Sequence, residues 1–297
     1  MRGVRRFAVV VAVAGAALAA GAYGSSVGSG TGAAASRPAR IAAQRPNAAF
    51  LAESRAALVS YLRHRRAPAL HTSRTGVVNA RSTTSYNWSG YVDLGAAGAF
   101  TSVAGSWTVP AVQCGAEDQI TSEWVGLDGW SSKTVEQTGT TSWCYKGVAT
   151  YYTWYEMYPA DTVEVGATVQ PGDQITTSVT RSGTTYTLAL TDATRPANSF
   201  SQQATCAAAT CKANSAEWVA ERPAFSIGVV PLAQYGTWTL TNGTETANGV
   251  AGTIGSYTAK NSPVKLTMDD ATDAYVLNSV SALTGAKAFT TTWHNSY

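Results

Sequence analysis

From Ser82 to the C-terminus the chain runs in short stretches of β-branched and aromatic residues, each closed by Gly, Asn, Asp or Pro, which leaves little room for helices. Twelve stretches have strand length: Tyr86–Leu94, Phe100–Val109, Ile120–Leu127, Thr134–Thr140, Val148–Tyr158, Gln174–Thr180, Thr184–Asp192, Ser215–Ala220, Thr237–Thr241, Val264–Met268, Tyr275–Asn278 and Ala288–His294. Pro171-Gly172-Asp173, Ser182-Gly183 and Asn242-Gly243 read as turns between or beside them. Many short strands at regular spacing predict an all-β fold, an antiparallel sandwich or barrel. About 216 residues suffice for one such domain with a large core. No internal repeat or linker divides it.

The composition breaks at residue 81. All nine Trp lie after it. Residues 1–81 hold twelve Arg, no Lys and the single acid Glu53, whereas residues 82–297 hold nine Lys plus Arg against seventeen acids. The net charge of +3 is therefore a +11 segment joined to a −8 segment. Arg2, Arg5 and Arg6, an uncharged run Phe7–Ala20, and the small residues Ala17-Leu18-Ala19 and Ala20-Gly21-Ala22 have the three-part layout of a secretory signal over residues 1–22. The apolar run falls short of the ~20 residues that span a bilayer. Residues 23–81 read as a basic prosegment on an acidic domain, the alternative being a disordered cationic linker. Within them Asn47 caps a predicted helix to about Arg66, with Phe50, Leu51, Leu58, Tyr61 and Leu62 as its apolar side and Pro68 as its stop. Docked on the acidic domain, such a helix would lose attraction as its partner carboxylates protonate. The expected product is an extracellular, monomeric protein with a mature start near Arg81-Ser82, and with no nucleic-acid partner and no membrane partner.

The chemistry is bounded by what the domain lacks. His294 is the only histidine after residue 81, so Ser-His-Asp and Cys-His sites have no imidazole to draw on. Gly24-Ser25-Ser26-Val27-Gly28 matches a nucleophile-elbow pattern, but has no strand before it and no helix after it. No metal and no cofactor are expected: there is no C-x-x-C, no H-E-x-x-H and no phosphate loop between a strand and a helix. Cys114, Cys144, Cys206 and Cys211 can pair in three ways. The closeness of the last two, in a polar, Ala-rich loop, favours Cys114–Cys144 with Cys206–Cys211. The acid–base group of an enzyme built this way is a carboxylate. Glu117-Asp118 and Asp269-Asp270 sit in hydrophilic turns, while Asp128, Glu156 and Glu217 are embedded among aromatic residues, where a carboxylate must be paired, hydrogen-bonded or protonated.

Four segments, in order, resemble those of the glutamic peptidase (eqolisin) family, in its secreted, bacterial-type form. They are Asn87-Trp88-Ser89-Gly90; Trp124-Val125-Gly126-Leu127-Asp128-Gly129 followed by Val135-Glu136-Gln137-Thr138-Gly139; Trp154-Tyr155-Glu156-Met157-Tyr158-Pro159; and Ala216-Glu217-Trp218-Val219-Ala220-Glu221. The resemblance implies a lectin-like (concanavalin-like) sandwich of two large antiparallel sheets and metal-free hydrolysis of polypeptide substrates in acid; by its charge, the basic prosegment reads as the chain's own inhibitor. By motif it assigns Gln137 and Glu217 as the catalytic pair, and Trp124, Asp128, Glu156, Trp154 and Tyr158 to the substrate groove. Glu136, where an apolar residue often stands, and the lack of a cysteine between Gly129 and Gln137 depart from the family pattern.

The pair makes physical sense beside that resemblance. Ionised Glu217 can take a proton from water and return it to the leaving amine. The Gln137 amide donates a hydrogen bond at any pH without adding negative charge to an oxyanion. Alternation puts Gln137 on the face opposite Glu136, and Glu217 on the face shared with Glu221. Two other readings compete: a glycoside hydrolase using Glu217 and Glu221, which Val219 between them disfavours, and a carbohydrate- or protein-binding module whose Trp and Tyr act as stacking platforms.

Overall fold

The computed structural model describes residues 47–63, 82–165, 169–225, 228–257, 262–270, 272 and 274–297. The expected signal and the basic stretch, apart from residues 47–63, lie outside the described residues. The elements are α1 (Ala48–Arg63), β1 (Ser82–Ser85), β2 (Trp88–Leu94), β3 (Phe100–Thr108), β4 (Gln119–Leu127), β5 (Val135–Tyr145), β6 (Val148–Tyr158), β7 (Val163–Glu164), β8 (Gln174–Ser182), β9 (Thr185–Asp192), β10 (Phe200–Thr205), β11 (Ser215–Glu221), β12 (Ala224–Phe225), β13 (Gly228–Val229), β14 (Thr237–Ala247), β15 (Val250–Thr253), β16 (Val264–Asp269), β17 (Val276–Val280) and β18 (Phe289–Trp293).

One hydrogen-bonded path runs β10-β9-β8-β3-β14-β18-β17-β16-β2-β11-β4-β5-β6-β7, with β1 beside β16 and β15 beside β14. The path folds over on itself through β18 and β17, so that β10-β9-β8-β3-β14 packs against β2-β11-β4-β5-β6 as the two layers of a sandwich. The period-two pattern of β8 shows why: Ile175, Thr177 and Val179 are buried while Gln174, Thr176 and Thr180 face water. Between the layers lie Trp107, Val125, Val179, Leu188, Trp218 and Trp238. The indole of Trp218 reaches across to donate to the Ala104 carbonyl at 2.8 Å, and Trp107 meets Trp238 edge-on at 5.8 Å.

The twelve predicted strands are all present, with three informative differences. Asn242-Gly243 does not end a strand. Asn242 takes φ 53° and the register with β3 slips between Thr241 and Thr244, so the pair forms a bulge inside β14. A Cβ at position 243 would come within 2.5 Å of Ile254, so this bulge needs glycine. β5 runs on to Tyr145 because its Thr-Ser-Trp end pairs with β6 throughout. β10, polar over Ser201–Gln203, is a strand because β9 offers it a free edge. Both favoured disulfides, Cys114–Cys144 and Cys206–Cys211, are present.

Asn47 caps α1 as expected, its Oδ1 accepting from the Phe50 N–H at 2.9 Å. The helix rests on β5, β6 and β7. Ser54 is fully buried and shares a 2.7 Å hydrogen bond with the Tyr152 hydroxyl. Arg55 pairs with Glu164 at 3.0 Å and Glu53 with Lys146 at 2.6 Å. Phe50 meets the ring of Tyr145, and Ala57 packs on the cluster of Ile120, Trp143, Tyr152 and Val230. The side chains of Leu58, Tyr61 and Leu62 lie outside the described residues.

The inner faces of the layers carry carboxyls as well as hydrocarbon. Burial pushes Glu123 up to about 8, against hydrogen bonds from Thr121 and Thr140. Burial, reinforced by Asp128, pushes Glu136 up to about 9. Asp93 and Glu245 face each other across the layers and both are raised, chiefly by burial. Below about pH 4 these groups are protonated whether the chain is folded or not, and no stability is lost. Above that the unfolded chain releases protons that the fold retains. Each group then lowers stability as pH rises, until its own folded pKa is passed. The fold is accordingly expected to be most stable in acid, with a melting temperature that falls steadily from about pH 5 to pH 9. Melts followed by circular dichroism check this, and Glu123→Gln should flatten the slope. A melting temperature independent of pH over that range would contradict it.

Candidate active site

Register puts the sequence-predicted residues in rows. Across β2, β11, β4, β5 and β6 the paired positions are Val92, Glu217, Gly126, Gln137 and Glu156. Residues paired across adjacent strands project to one face, so Glu217, Gln137 and Glu156 share a surface. At about 4.8 Å per strand, the backbones of Glu217 and Gln137 stand about 10 Å apart with Gly126 between them. A Cβ on Gly126 would lie 2.9 Å from the Trp124 ring, 3.1 Å from Gln137 Cβ and 3.2 Å from the Glu136 carbonyl. Glycine therefore keeps the floor between the two polar side chains clear. The next row reads Gly90, Val219, Trp124, Gly139, Trp154 and Glu164. Again a glycine separates two large or polar side chains, here the indoles of Trp124 and Trp154.

The polar groups of these rows are fixed unequally. Gln137 donates from its amide nitrogen to Glu156 Oε2, and Thr162 donates to Glu156 Oε1 at 2.7 Å. Glu156 thus sets which way the Gln137 amide points, leaving its second N–H available. Glu221 is tied up, accepting at 2.9 Å from the Trp124 indole, which itself packs edge-on against Trp88. Glu217 is different: it is fully buried and, among the described residues, neither carboxyl oxygen is met by a well-formed hydrogen bond. Burial holds its pKa well above the ordinary glutamate range, against the Ser215 hydroxyl and with the charges of Asp128, Glu136 and Asp93. A carboxyl with no fixed donors is free to exchange a proton with whatever enters beside it.

The structure brings together Gln137, Glu217, Glu156, Trp124 and Trp154 on one face. Tyr158 sits at the end of the same ladder, opposite Val135 and half-buried. Asp128 is directed elsewhere. With φ 72° it turns its carboxylate to the backbone N–H groups of Ala213 and Asn214, at 2.8 and 3.0 Å, beside Glu136. There it pins the loop that leads into β11. Sequence reasoning did not single out Gly126, Gly139 or Thr162. The two glycines become legible only when the strands are set in register, and nothing in the sequence marks Thr162. Among the described residues the one cluster with metal-ligand spacing is Glu136, Cys206 and Cys211, whose two sulfurs are bonded to each other.

Comparison with known proteins identifies the family and the fold. The profile of the Peptidase A4 family matches residues 86–293. Aspergillopepsin-2 of Aspergillus niger is 30% identical over 217 residues, spanning 63% of this chain and 75% of that protein. Scytalidopepsin B of Scytalidium lignicola is 34% identical over 166 residues, 54% of this chain and 60% of that protein. Among solved structures, scytalido-glutamic peptidase with a transition state analog inhibitor superposes with a TM-score of 0.59 at 23% identity, over 70% of this chain and 98% of its own, a likeness of fold.

The tie between Trp124 and Glu221 is testable by itself. Trp124→Phe keeps the ring but removes the donor, leaving the buried Glu221 carboxyl one hydrogen bond short. We expect a loss of about 1–3 kcal/mol in urea unfolding, and a variant as stable as wild type would mean that Glu221 is satisfied without the indole.

Proposed function

The chain belongs to the Peptidase A4 family, the glutamic peptidases, and is a peptide hydrolase, and from that premise we propose that it is an acid endopeptidase working through Glu217 and Gln137. Glu217, as carboxylate, removes a proton from a water molecule held over Gly126. The water oxygen attacks the scissile carbonyl carbon, and the Gln137 amide donates to the oxyanion that forms. Glu217, now protonated, gives that proton to the leaving nitrogen as the C–N bond breaks, and the carboxylate is restored. Glu156 positions the Gln137 amide, and Trp124, Trp154 and Tyr158 form apolar walls for the peptide.

What carries the reading is the row Glu217–Gly126–Gln137, two polar side chains on one face with a glycine gap between them, inside the segment that matches the family. The proton inventory supports it. Among the described residues Glu217 is the carboxyl of the row whose oxygens no hydrogen bond holds, while Gln137 offers a donor at every pH.

Secretion and synthesis as a proform belong to the same proposal. Glu217 and Gln137 have no exposed surface in the full chain, so the face must open before a peptide can reach them. Opening also changes the chemistry. A Glu217 sealed from water stays neutral and cannot act as a base, and water returning to the face lowers its pKa and lets it ionise. A prosegment that keeps the face closed would block catalysis both by occupancy and by protonation. The disulfides fit passage through an oxidising compartment.

The test is digestion of a denatured protein between about pH 2 and pH 7 by acid-treated wild type, Gln137→Ala, Gln137→Glu and Glu217→Gln. We expect acid-dependent cleavage by wild type, a loss of about 10²–10³-fold in Gln137→Ala, and no measurable turnover in Glu217→Gln, with circular dichroism unchanged in all. Turnover surviving in Glu217→Gln would move the base to Glu221 or Glu156.

A further inference from the structure

Behind the row of Glu217 and Gln137, the next row ends at Glu164 on the short edge strand β7, beside Trp154. The Glu164 side chain is only 6% exposed, yet its one ionic partner among the described residues is Arg55, contributed by α1. Arg55 binds through Nε to Oε1 at 3.0 Å, and Oε2 has no hydrogen-bond partner. One row further, the hydroxyl of Tyr152 is likewise met by an α1 side chain, Ser54. A helix that precedes the sandwich in sequence thus fills, with a guanidinium and a hydroxyl, two polar positions on the face proposed for peptide binding.

We propose that these positions form a substrate subsite for a cationic side chain, with Glu164 as its acceptor, and that Arg55 occupies the subsite until α1 leaves. This rests on the peptidase reading of the face given above. Departure of α1 removes the guanidinium that covers Glu164 and leaves its carboxylate open to another cation in the same place. An arginine of a bound peptide supplies one, and its planar fork can engage both carboxylate oxygens where Arg55 engages one. Trp154, next to Glu164 in the same row, gives the aliphatic stem an apolar wall. From Gly126, Glu164 lies three strands across and two residues along, about 16 Å, or about five residues of extended peptide. The preference therefore concerns a residue well away from the scissile bond, and acts on binding rather than on the chemical step.

Two measurements on the full-length chain test this. The first compares acid-treated wild type and Glu164→Gln on matched fluorogenic peptides carrying either arginine or glutamine at positions about three to six residues from the scissile bond, on each side in turn. Expected is an arginine preference of about tenfold at one position, carried by KM and absent in Glu164→Gln. Equal KM for the two series in wild type, or a preference that survives in Glu164→Gln, overturns the proposal. The second measurement needs no turnover: calorimetric titration of agmatine, a small guanidinium compound, into wild type, Arg55→Gln and Arg55→Gln/Glu164→Gln. Binding to Arg55→Gln alone is expected, and no binding to it overturns the subsite. If no peptide is cut but agmatine binds Arg55→Gln in a Glu164-dependent way, the peptidase reading fails while the cation site stands.

Discussion

The in-register pairing of β11, β4, β5 and β6 is the constraint on which the rest depends. Shifting any one of these strands by a single residue would send its member of the row to the opposite face. In the observed register Glu217, Gly126, Gln137 and Glu156 fall in line, and the row behind them repeats the design with Trp124, Gly139 and Trp154. The register is itself held by what lies between the layers. Val125, Leu127, Ala216 and Trp218 are the alternate residues of β4 and β11, and they are buried against the opposite layer. Hydrophobic burial on one face therefore fixes the position of polar groups on the other.

Both faces of β4, β5 and β11 are buried, which is unusual for antiparallel strands. On the inner face the polar cost is met by protonation: Glu123, Glu136 and the Asp93–Glu245 pair sit where a charge could not be solvated. On the outer face it is met by partners, Glu156 for Gln137, Trp124 for Glu221 and Arg55 for Glu164, with Glu217 left over. A fold built on neutral carboxyls suits acid, where protonation requires no work. Its few basic residues after position 81 also keep positive self-repulsion small.

Much of this was legible in the sequence. Strand-length runs with turn residues between them predicted an all-β sandwich, the spacing of the cysteines predicted both disulfides, and Asn47 marked the start of α1. The four segments resembling glutamic peptidases pointed to the family that the full comparison identifies. Where the sequence misled, the cause was local. Asn242-Gly243 carries the same residues whether it turns a hairpin or makes a bulge, and only the pairing of β14 with β3 on both sides of it decides. Asp128 reads like its neighbours in an aromatic strand, but its positive φ turns it toward Ala213 and Asn214.

What the sequence alone determined was the class of fold and the kinds of residue available for chemistry. Alternation and composition act over a few residues, and the scarcity of histidine leaves carboxylates and amides. What only the tertiary structure decided was which of these groups meet. Gly126 matters because it lies between Glu217 and Gln137, residues 80 positions apart in the chain. Glu164 matters because Arg55, more than a hundred residues earlier, reaches it. Such pairings are set by strand register and layer packing, which sum contributions from the whole core and leave no mark on any short stretch of sequence.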